Sequence, residues 1–186
     1  MERIVAVLQP KIDILLQEKD HLVIAIDGKC TSGKTTLAAQ LARIYPCNVF
    51  HMDDFFLRPE QRTPERYGQI GGNVDYERFY EEVLIPLQSR KAFAYRPFDC
   101  GTLSLGDPVQ VHPARLNIVE GSYSHHPYFR DPYDLKILLT VEEAVQRQRI
   151  LQRPGFLQKR FFDEWIPLEN RYFDGFQIQA QADIVL

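Results

Sequence analysis

The sequence predicts an α/β protein in which a five-stranded parallel sheet is covered by helices on both faces. Short apolar runs typical of buried strands recur along the chain, at 22–26, 48–52, 116–119, 135–141 and 182–186. Segments with helical character separate most of these runs. The first run leads directly into a glycine-containing turn, which is how a strand feeds a loop and a following helix.

The composition is that of a single globular domain spanning residues 1–186. Apolar residues make up 45% of the chain and charged residues 25%, the ordinary balance of a folded soluble protein. The formal net charge of -3 gives no reason to expect a nucleic acid or a membrane surface as a partner.

The cysteines and the first residues of the sequence bear on location. Cys30, Cys47 and Cys100 are an odd number without CxxC spacing, a pattern that favours reduced thiols over a disulfide framework or a zinc site. Charged residues interrupt the apolar ones in the first twenty positions, so we expect neither a signal peptide nor a membrane span there. These patterns predict a cytoplasmic protein, and they leave its oligomeric state open.

Three further segments are expected around the sheet. Residues 1–20 have apolar positions at helical spacing and predict an N-terminal helix, kinked or broken at Pro10. An insert over 55–113 is rich in Pro, Gly, Tyr and Phe and contains a predicted helix at 75–87. Because long excursions from a compact sheet are usually functional, we expect this insert to form the acceptor-substrate side of a cleft.

The strongest motif is Gly28-Lys29-Cys30-Thr31-Ser32-Gly33-Lys34-Thr35, which fits G-x-x-x-x-G-K-[ST]. We call residues 28–35 the phosphate loop. Its glycines allow successive backbone N–H groups to point into one concavity, and the following helix adds its positive end. A chance glycine turn at a helix start is the alternative. The residues expected to bind the nucleotide are Gly28, Cys30, Thr31, Ser32, Gly33, Lys34, Thr35 and Thr36.

Acidic residues follow two of the predicted strands, where ligands bind in open parallel sheets. Asp53 is expected to accept the proton of an attacking hydroxyl, with Asp54 in reserve; either could instead cap a turn. Glu120, at the end of Leu116-Asn117-Ile118-Val119-Glu120-Gly121, is expected to hold Mg²⁺ together with the Thr35 hydroxyl. A surface Glu at a strand end is the alternative for Glu120.

Six segments taken in order resemble the uridine kinase-like branch of P-loop kinases, which includes nicotinamide riboside kinases, pantothenate kinases and phosphoribulokinases. These segments are IDGKCTSGKTTLA, HMDDFF, GGNVDYERF, YRPFD, IVEG and ADIVL. The resemblance runs from about residue 22 to 186. It implies a three-layer P-loop NTPase fold with a lid, and Mg²⁺-dependent transfer of phosphate from ATP to a hydroxyl of a small acceptor.

The resemblance also implies roles for individual residues. Asp53 matches the acid that contacts sugar hydroxyls and acts as the base, and Asp75 resembles the acid that lines the acceptor pocket. Phe98 falls on the aromatic-Asp step of the family and could stack on a planar base; the alternative is a core aromatic. In uridine kinases this step usually contains Tyr and is followed by His, whereas here Cys100 follows Asp99.

The lid is expected within residues 147–171. The resemblance places arginines there that neutralise charge on the transferring phosphoryl group, and Arg149 and Arg153 match them best. A solvated basic helix face is the alternative. His125 and His126 are expected to be loop residues near the cleft, since adjacent histidines without spaced partners make a poor metal site.

The main hypothesis is therefore an ATP- and Mg²⁺-dependent kinase for a nucleoside or similar metabolite. A nucleotide-dependent switch and a kinase-like protein without catalysis are the alternatives.

Overall fold

A computed structural model describes all residues, 1–186. Its main sheet has five strands in the order β2-β7-β1-β8-β9, and every neighbouring pair is parallel. The predicted fold class is confirmed. The strands are β1 (Leu22–Gly28), β2 (Cys47–His51), β3 (Phe93–Tyr95), β4 (Phe98–Asp99), β5 (Ser104–Leu105), β6 (Val109–Val111), β7 (Leu116–Glu120), β8 (Leu135–Leu139) and β9 (Ile184–Val185).

Nine α-helices accompany the strands: α1 (Glu2–Glu18), α2 (Lys34–Ile44), α3 (Pro64–Gly68), α4 (Tyr76–Phe79), α5 (Ile85–Gln88), α6 (Glu143–Leu151), α7 (Gly155–Arg160), α8 (Ile166–Gly175) and α9 (Ile178–Gln181). Two π-helical stretches, Tyr80–Leu84 and Phe161–Trp165, join α4 to α5 and α7 to α8 without a break. Short 3₁₀ turns cover Met52–Phe55, Pro59–Gln61 and Pro127–Phe129. None of these helices combines the length and apolar character needed to cross a bilayer.

The register of the sheet brings three chain segments to one edge. Ile26 lies opposite Glu120, and His51 lies opposite Glu120 on the other side of β7. Gly28 is paired with Leu139. The carboxyl ends of β1, β2 and β7 therefore meet where the phosphate loop begins.

Alternating side chains of the central strands build two separate cores. Ile24, Ile26 and Ile118 belong to a cluster of 14 buried residues with α1 and α2, which we call the aliphatic core. Val23 and Val119 belong to a cluster of 17 buried residues on the opposite face, which we call the aromatic core. The insert 55–113 contributes much of the aromatic core, so the insert is packed onto the sheet.

The helix α1 runs through Pro10 without interruption, so the predicted break is wrong. Proline removes one backbone hydrogen bond from a helix interior. Leu8 and Ile12, on either side of Pro10, are fully buried. Their burial fixes both halves of the helix on the sheet and outweighs the missing bond.

The insert contains the predicted helix and two small antiparallel strand pairs, β3 with β6 and β4 with β5. The helix begins at Tyr76, and Asp75 is its N-cap, accepting a hydrogen bond from the Arg78 backbone N–H at 3.2 Å. This cap satisfies one of the free N–H groups at the helix start.

Candidate active site

The phosphate loop connects β1 to α2 and depends on two glycines. Gly28 has φ 151° and Gly33 has φ 105°, in a region that side chains strongly disfavour. A Cβ on Gly28 would lie 2.3 Å from the Leu139 carbonyl oxygen. The close approach of β8 thus requires glycine at the start of the loop.

Lys34 is folded over this loop and is almost buried, with 8% exposure. Its Nζ donates to the carbonyl oxygens of Gly28 at 2.7 Å and Lys29 at 3.0 Å, and to Ser122 Oγ at 3.3 Å. These acceptors compensate for the cost of burying the ammonium group. The ammonium charge is therefore held at the mouth of the loop.

Glu120 lies at the end of β7, directly beside Thr35. The Thr35 hydroxyl lies 3.2 and 3.3 Å from the two Glu120 carboxylate oxygens, and Glu120 is 4% exposed. His51 Nδ1 lies 2.5 Å from Glu120 Oε1, and this hydrogen bond raises the pKa of His51 despite the opposing effect of burial. The carboxylate is held in place from two sides.

The Thr35 hydroxyl and the Glu120 carboxylate offer oxygen ligands, which suit a hard cation. No group of three or more His, Cys, Asp or Glu side chains is arranged to hold a metal ion by itself. A Mg²⁺ ion commonly takes only one or two protein oxygens and completes its octahedron with phosphates and water. Thr35 and Glu120, a hydroxyl and a carboxylate in contact, fit that requirement.

Asp53 and Asp54 occupy the 3₁₀ turn after β2 but have different surroundings. The Asp53 side chain is open to solvent, yet the walls of the cleft partly desolvate it and raise its pKa, while Lys34 acts in the opposite direction. Asp54 accepts a hydrogen bond from the Tyr95 hydroxyl at 3.3 Å, and its carbonyl accepts one from Arg78 at 2.9 Å. Asp53 is accessible to a ligand, whereas Asp54 ties the turn to the insert.

Asp75 is buried, with 2% exposure. Besides capping α4, it lies 3.5 Å from Arg78 Nε and 3.7 Å from Arg58 Nε, and its Oδ2 has no hydrogen-bond partner. Asp75 borders a groove of about 490 Å³ whose lining is almost entirely charged or polar and includes Arg58 and Glu82. Arg78 lines this groove and also donates to the Asp54 carbonyl, so it links the groove to the turn that carries Asp53.

Phe98 is 5% exposed, and the Arg62 guanidinium lies 5.6 Å from its ring centroid. Its ring therefore has no open face for a base in this conformation, contrary to the stacking role expected from the sequence. The residue pairs with Leu105 across the β4–β5 ladder, so packing within this small hairpin accounts for its burial.

Of the two arginines predicted to act from a lid, only Arg149 reaches the phosphate loop. Its Nη1 donates to the Thr31 carbonyl at 2.6 Å, and Gln146 on the same helix donates to the Cys30 carbonyl at 3.1 Å. Arg153 follows the end of α6 and is exposed. Arg149 is thus already attached to the loop that its helix faces.

Glu169 is a site residue that sequence reasoning missed. It lies on α8 with 5% exposure, and its carboxylate accepts the Cys30 N–H at 2.9 and 3.1 Å. The Ser122 hydroxyl lies 2.8 Å from Glu169 Oε1. A glutamate on an amphipathic helix normally faces solvent, and nothing in the local sequence marks this one as buried.

His125 and His126 are loop residues, as predicted, but both are buried. They are 5% and 6% exposed in the turn after β7. His126 stacks on Tyr76 with ring centroids 4.2 Å apart, and burial lowers its pKa to about 4. The prediction of loop residues is therefore confirmed, but tertiary packing buries both rings, that of His126 against Tyr76 from the insert.

Comparisons with known proteins bear on the fold. No protein-family model matches the sequence, and neither does any curated protein. Among solved structures, a possible uridine kinase from Bacillus stearothermophilus aligns with a TM-score of 0.69 and 22% identity, over 96% of this chain and 98% of that one. The YGR205w protein aligns with a TM-score of 0.65 and 14% identity, over 92% and 86%.

A phosphoribulokinase from Rhodobacter spheroides aligns with a TM-score of 0.59 and 16% identity, over 89% of this chain and 69% of that one. Identities this low establish a shared architecture and leave the activity to be argued from the site. The chain has the three-layer α/β fold that a possible uridine kinase and a phosphoribulokinase share, with the phosphate loop at its sheet edge.

Proposed function

We propose that this protein transfers the γ-phosphoryl group of ATP to a hydroxyl of a small acceptor, a nucleoside or similar metabolite. The observation that carries this proposal is the meeting of Lys34, Thr35, Glu120 and Asp53 at one edge of the sheet. A loop for phosphates, oxygen donors for Mg²⁺ and an accessible carboxylate are the parts that phosphoryl transfer requires.

The phosphate side of the site is formed by the loop and the start of α2. Gly28, Cys30, Thr31, Ser32, Gly33, Thr35 and Thr36 are proposed to surround the phosphates. Lys34 leaves its present carbonyl partners to neutralise phosphate charge. Thr35 and Glu120 would hold Mg²⁺, which would neutralise charge on the phosphates and orient them.

The acceptor side is proposed to lie between Asp53 and the insert. Asp53 accepts the proton of the acceptor hydroxyl, and its raised pKa makes it a better base than an ordinary aspartate. Asp75, which borders the groove and has a carboxylate oxygen that accepts no hydrogen bond, is proposed to bind acceptor hydroxyls. Phe98, held under Arg62, forms a wall of this side.

Residues 147–171 are proposed to form a lid that closes over the phosphates. Arg149 exchanges the Thr31 carbonyl for the transferring phosphoryl group, and Arg153 approaches from the exposed side. Positive charge at the equatorial oxygens stabilises the transition state. The three free cysteines fit a reducing compartment, so we place the reaction in the cytoplasm.

A direct test is to incubate the purified protein with Mg·ATP and a panel of acceptors: uridine, cytidine, nicotinamide riboside, pantothenate and simple sugars. We expect a phosphorylated product from at least one acceptor, and loss of that product with Lys34→Ala. Slow ATP hydrolysis without any phosphorylated acceptor would instead favour a switch. Nucleotide binding without turnover of either kind would favour a protein without catalysis.

A further inference from the structure

The helix α8 contacts the phosphate loop through two side chains on one of its faces. Glu169 accepts the Cys30 N–H with both carboxylate oxygens. Tyr172, three residues later, donates its hydroxyl to Asp27 Oδ2 at 2.7 Å. Residues three apart lie on the same side of a helix, so one side of α8 contacts both Cys30 in the loop and Asp27, which precedes the loop.

The Tyr172 contact fixes the strand end that precedes the loop. Asp27 is fully buried, and its other oxygen, Oδ1, accepts the Gly28 N–H at 2.6 Å. Asp27 Oδ2 also accepts the His125 N–H at 2.9 Å. This contact anchors the base of the loop and does not reach the residues that face a phosphate.

The Glu169 contact, in contrast, reaches the residues around Lys34. The Ser122 hydroxyl lies 2.8 Å from Glu169 and 3.3 Å from Lys34 Nζ. It also lies 2.9 Å from the Gly28 carbonyl oxygen. The carboxylate, the hydroxyl and the ammonium group therefore form one connected chain of hydrogen bonds beneath the loop.

A buried carboxylate at this place opposes the binding of a phosphate, since both carry negative charge. Burying it also costs free energy, which the hydrogen bonds from Cys30 and Ser122 offset only in part. Removal of the charge should therefore not weaken the electrostatic attraction for ATP. A contribution of Glu169 must come from the geometry that it imposes on the loop and on Lys34.

We propose that Glu169 is a positioning residue for phosphoryl transfer, which holds the Cys30 amide and the Ser122 hydroxyl so that the phosphate loop and Lys34 keep one geometry. This proposal rests on the proposed kinase function. It also makes α8, whose first residues belong to the expected lid segment 147–171, part of the phosphate-binding apparatus. Movement of the lid is then transmitted to the loop from α8 as well as from Arg149 on α6.

The test compares Glu169→Ala and Glu169→Gln with Asp174→Asn, an exposed residue of the same helix. Misplaced reacting groups cost up to about 100-fold in rate, so we expect kcat to fall by about that factor in Glu169→Ala. In Glu169→Gln one oxygen remains an acceptor, and kcat should fall by only about tenfold. The ATP dissociation constant should stay within about threefold of wild type in both variants. Each substitution removes the repulsion between the Glu169 carboxylate and the phosphates, and this gain offsets the loss of order in the loop.

A merely structural role predicts a different pattern. In that case kcat per folded molecule would equal that of Asp174→Asn, and only the melting temperature would fall. Equal losses in kcat and ATP affinity that follow the melting temperature would likewise overturn the proposal.

A second measurement needs no acceptor and separates this proposal from the proposed function. Hydrogen exchange at the Cys30 amide should be slow in the wild type, with and without ATP. A hydrogen bond to a charged acceptor contributes about 1.5–3 kcal/mol, so Glu169→Ala should exchange at least about tenfold faster in both states. Equal exchange in the two proteins would overturn the positioning role, whatever the acceptor screen shows.

Discussion

The two faces of the central sheet carry cores of different chemistry. The aliphatic core contains no aromatic residue, and it supports α2 and the phosphate loop from one side. The aromatic core combines aliphatic residues with rings contributed by β2, by the insert, by the segment after β7 and by α8. Its aromatic members are Phe50, Phe55, Phe79, Tyr95, Tyr123, Phe129 and Tyr172.

This difference indicates that the two faces of the sheet have different roles within one domain. Aliphatic side chains at helix and strand spacing make a regular support, which suits a phosphate loop whose ligand has a fixed shape. Rings make large contacts between irregular segments and bring polar atoms with them. The aromatic face therefore suits the proposed acceptor side of the cleft, between Asp53 and the insert.

The largest expected effect concerns Asp53, where the aromatic face meets the cleft. Asp53→Asn should lower kcat by about 10²–10⁴-fold, the usual contribution of a general base. ATP affinity should change little, because the phosphates are held by the loop. Steady-state kinetics and calorimetric titration with ATP measure the two quantities.

The matched control is Asp54→Asn. Asp54 is bound to the Tyr95 hydroxyl, so its substitution should affect turnover less than the Asp53 substitution. Equal turnover in Asp53→Asn and wild type would remove Asp53 from the mechanism.

The two cores can be compared directly by truncating one fully buried residue in each. Phe79→Ala removes a ring that contacts Phe55 with centroids 5.0 Å apart, and it should lower the free energy of unfolding by about 3–5 kcal/mol. Leu37→Ala, in the helix that carries Lys34, should lower it by about 2–5 kcal/mol. Urea denaturation measures both changes.

The kinetic effects of the two truncations should diverge. Phe79→Ala should raise the KM for the acceptor more than that for ATP, and Leu37→Ala should do the reverse. If both variants change the two KM values in the same ratio, the proposed division between the faces is wrong.

The aromatic core should also make stability depend on pH. Burial lowers the pKa of His126 from 6.5 to about 4 and also lowers that of His125. At a pH between 4 and 6.5, His126 is protonated in the unfolded chain and neutral in the folded protein. The free energy of unfolding should therefore fall as the pH decreases from 6.5 to 4. For His126 alone the loss is roughly 3 kcal/mol at most.

Urea titrations at a series of pH values test this dependence. His126→Phe keeps a ring against Tyr76 and removes the titrating group, so its stability should vary less over the same range. An unchanged pH dependence in this variant would exclude His126 as its source.

The smallest expected effect concerns α1 on the aliphatic side of the sheet, where a substitution should increase the free energy of unfolding. Pro10 is exposed within α1, and a proline in a helix interior costs about 3 kcal/mol relative to alanine, of which up to about 1 is regained by its stiffness in the unfolded chain. Pro10→Ala should therefore raise the free energy of unfolding by about 2 kcal/mol. Decreased stability would show that the ring makes a contact that alanine cannot replace.

The comparison of the faces also explains what the sequence predicts well. Strands β1, β7 and β8 are predominantly apolar, and α2 follows a motif whose local geometry is fixed by Gly28 and Gly33. Such features depend on neighbours within a few residues, so periodicity and turn chemistry are sufficient. The meeting of Thr35 and Glu120 was predictable for the same reason, since parallel strands end at a common edge.

The remaining features depend on contacts between distant segments. His126 is stacked on Tyr76 from the insert, and the ring of Phe98 is covered by the Arg62 guanidinium, 36 positions away in the sequence. Glu169 resembles any exposed helical glutamate until α8 is packed against the loop. Tertiary packing decides such cases, and a single sequence carries no local signal for it.

Cys30 and its carboxylate partner Glu169 are separated by 139 positions. A ribosome that adds about 5–20 residues per second needs roughly 7–28 s to cover that distance. Throughout this interval the nascent chain contains the glycines of the loop but lacks the hydrogen bonds that Glu169 and Tyr172 of α8 make to this region. Newly made molecules therefore complete the turn only when this late helix emerges and docks.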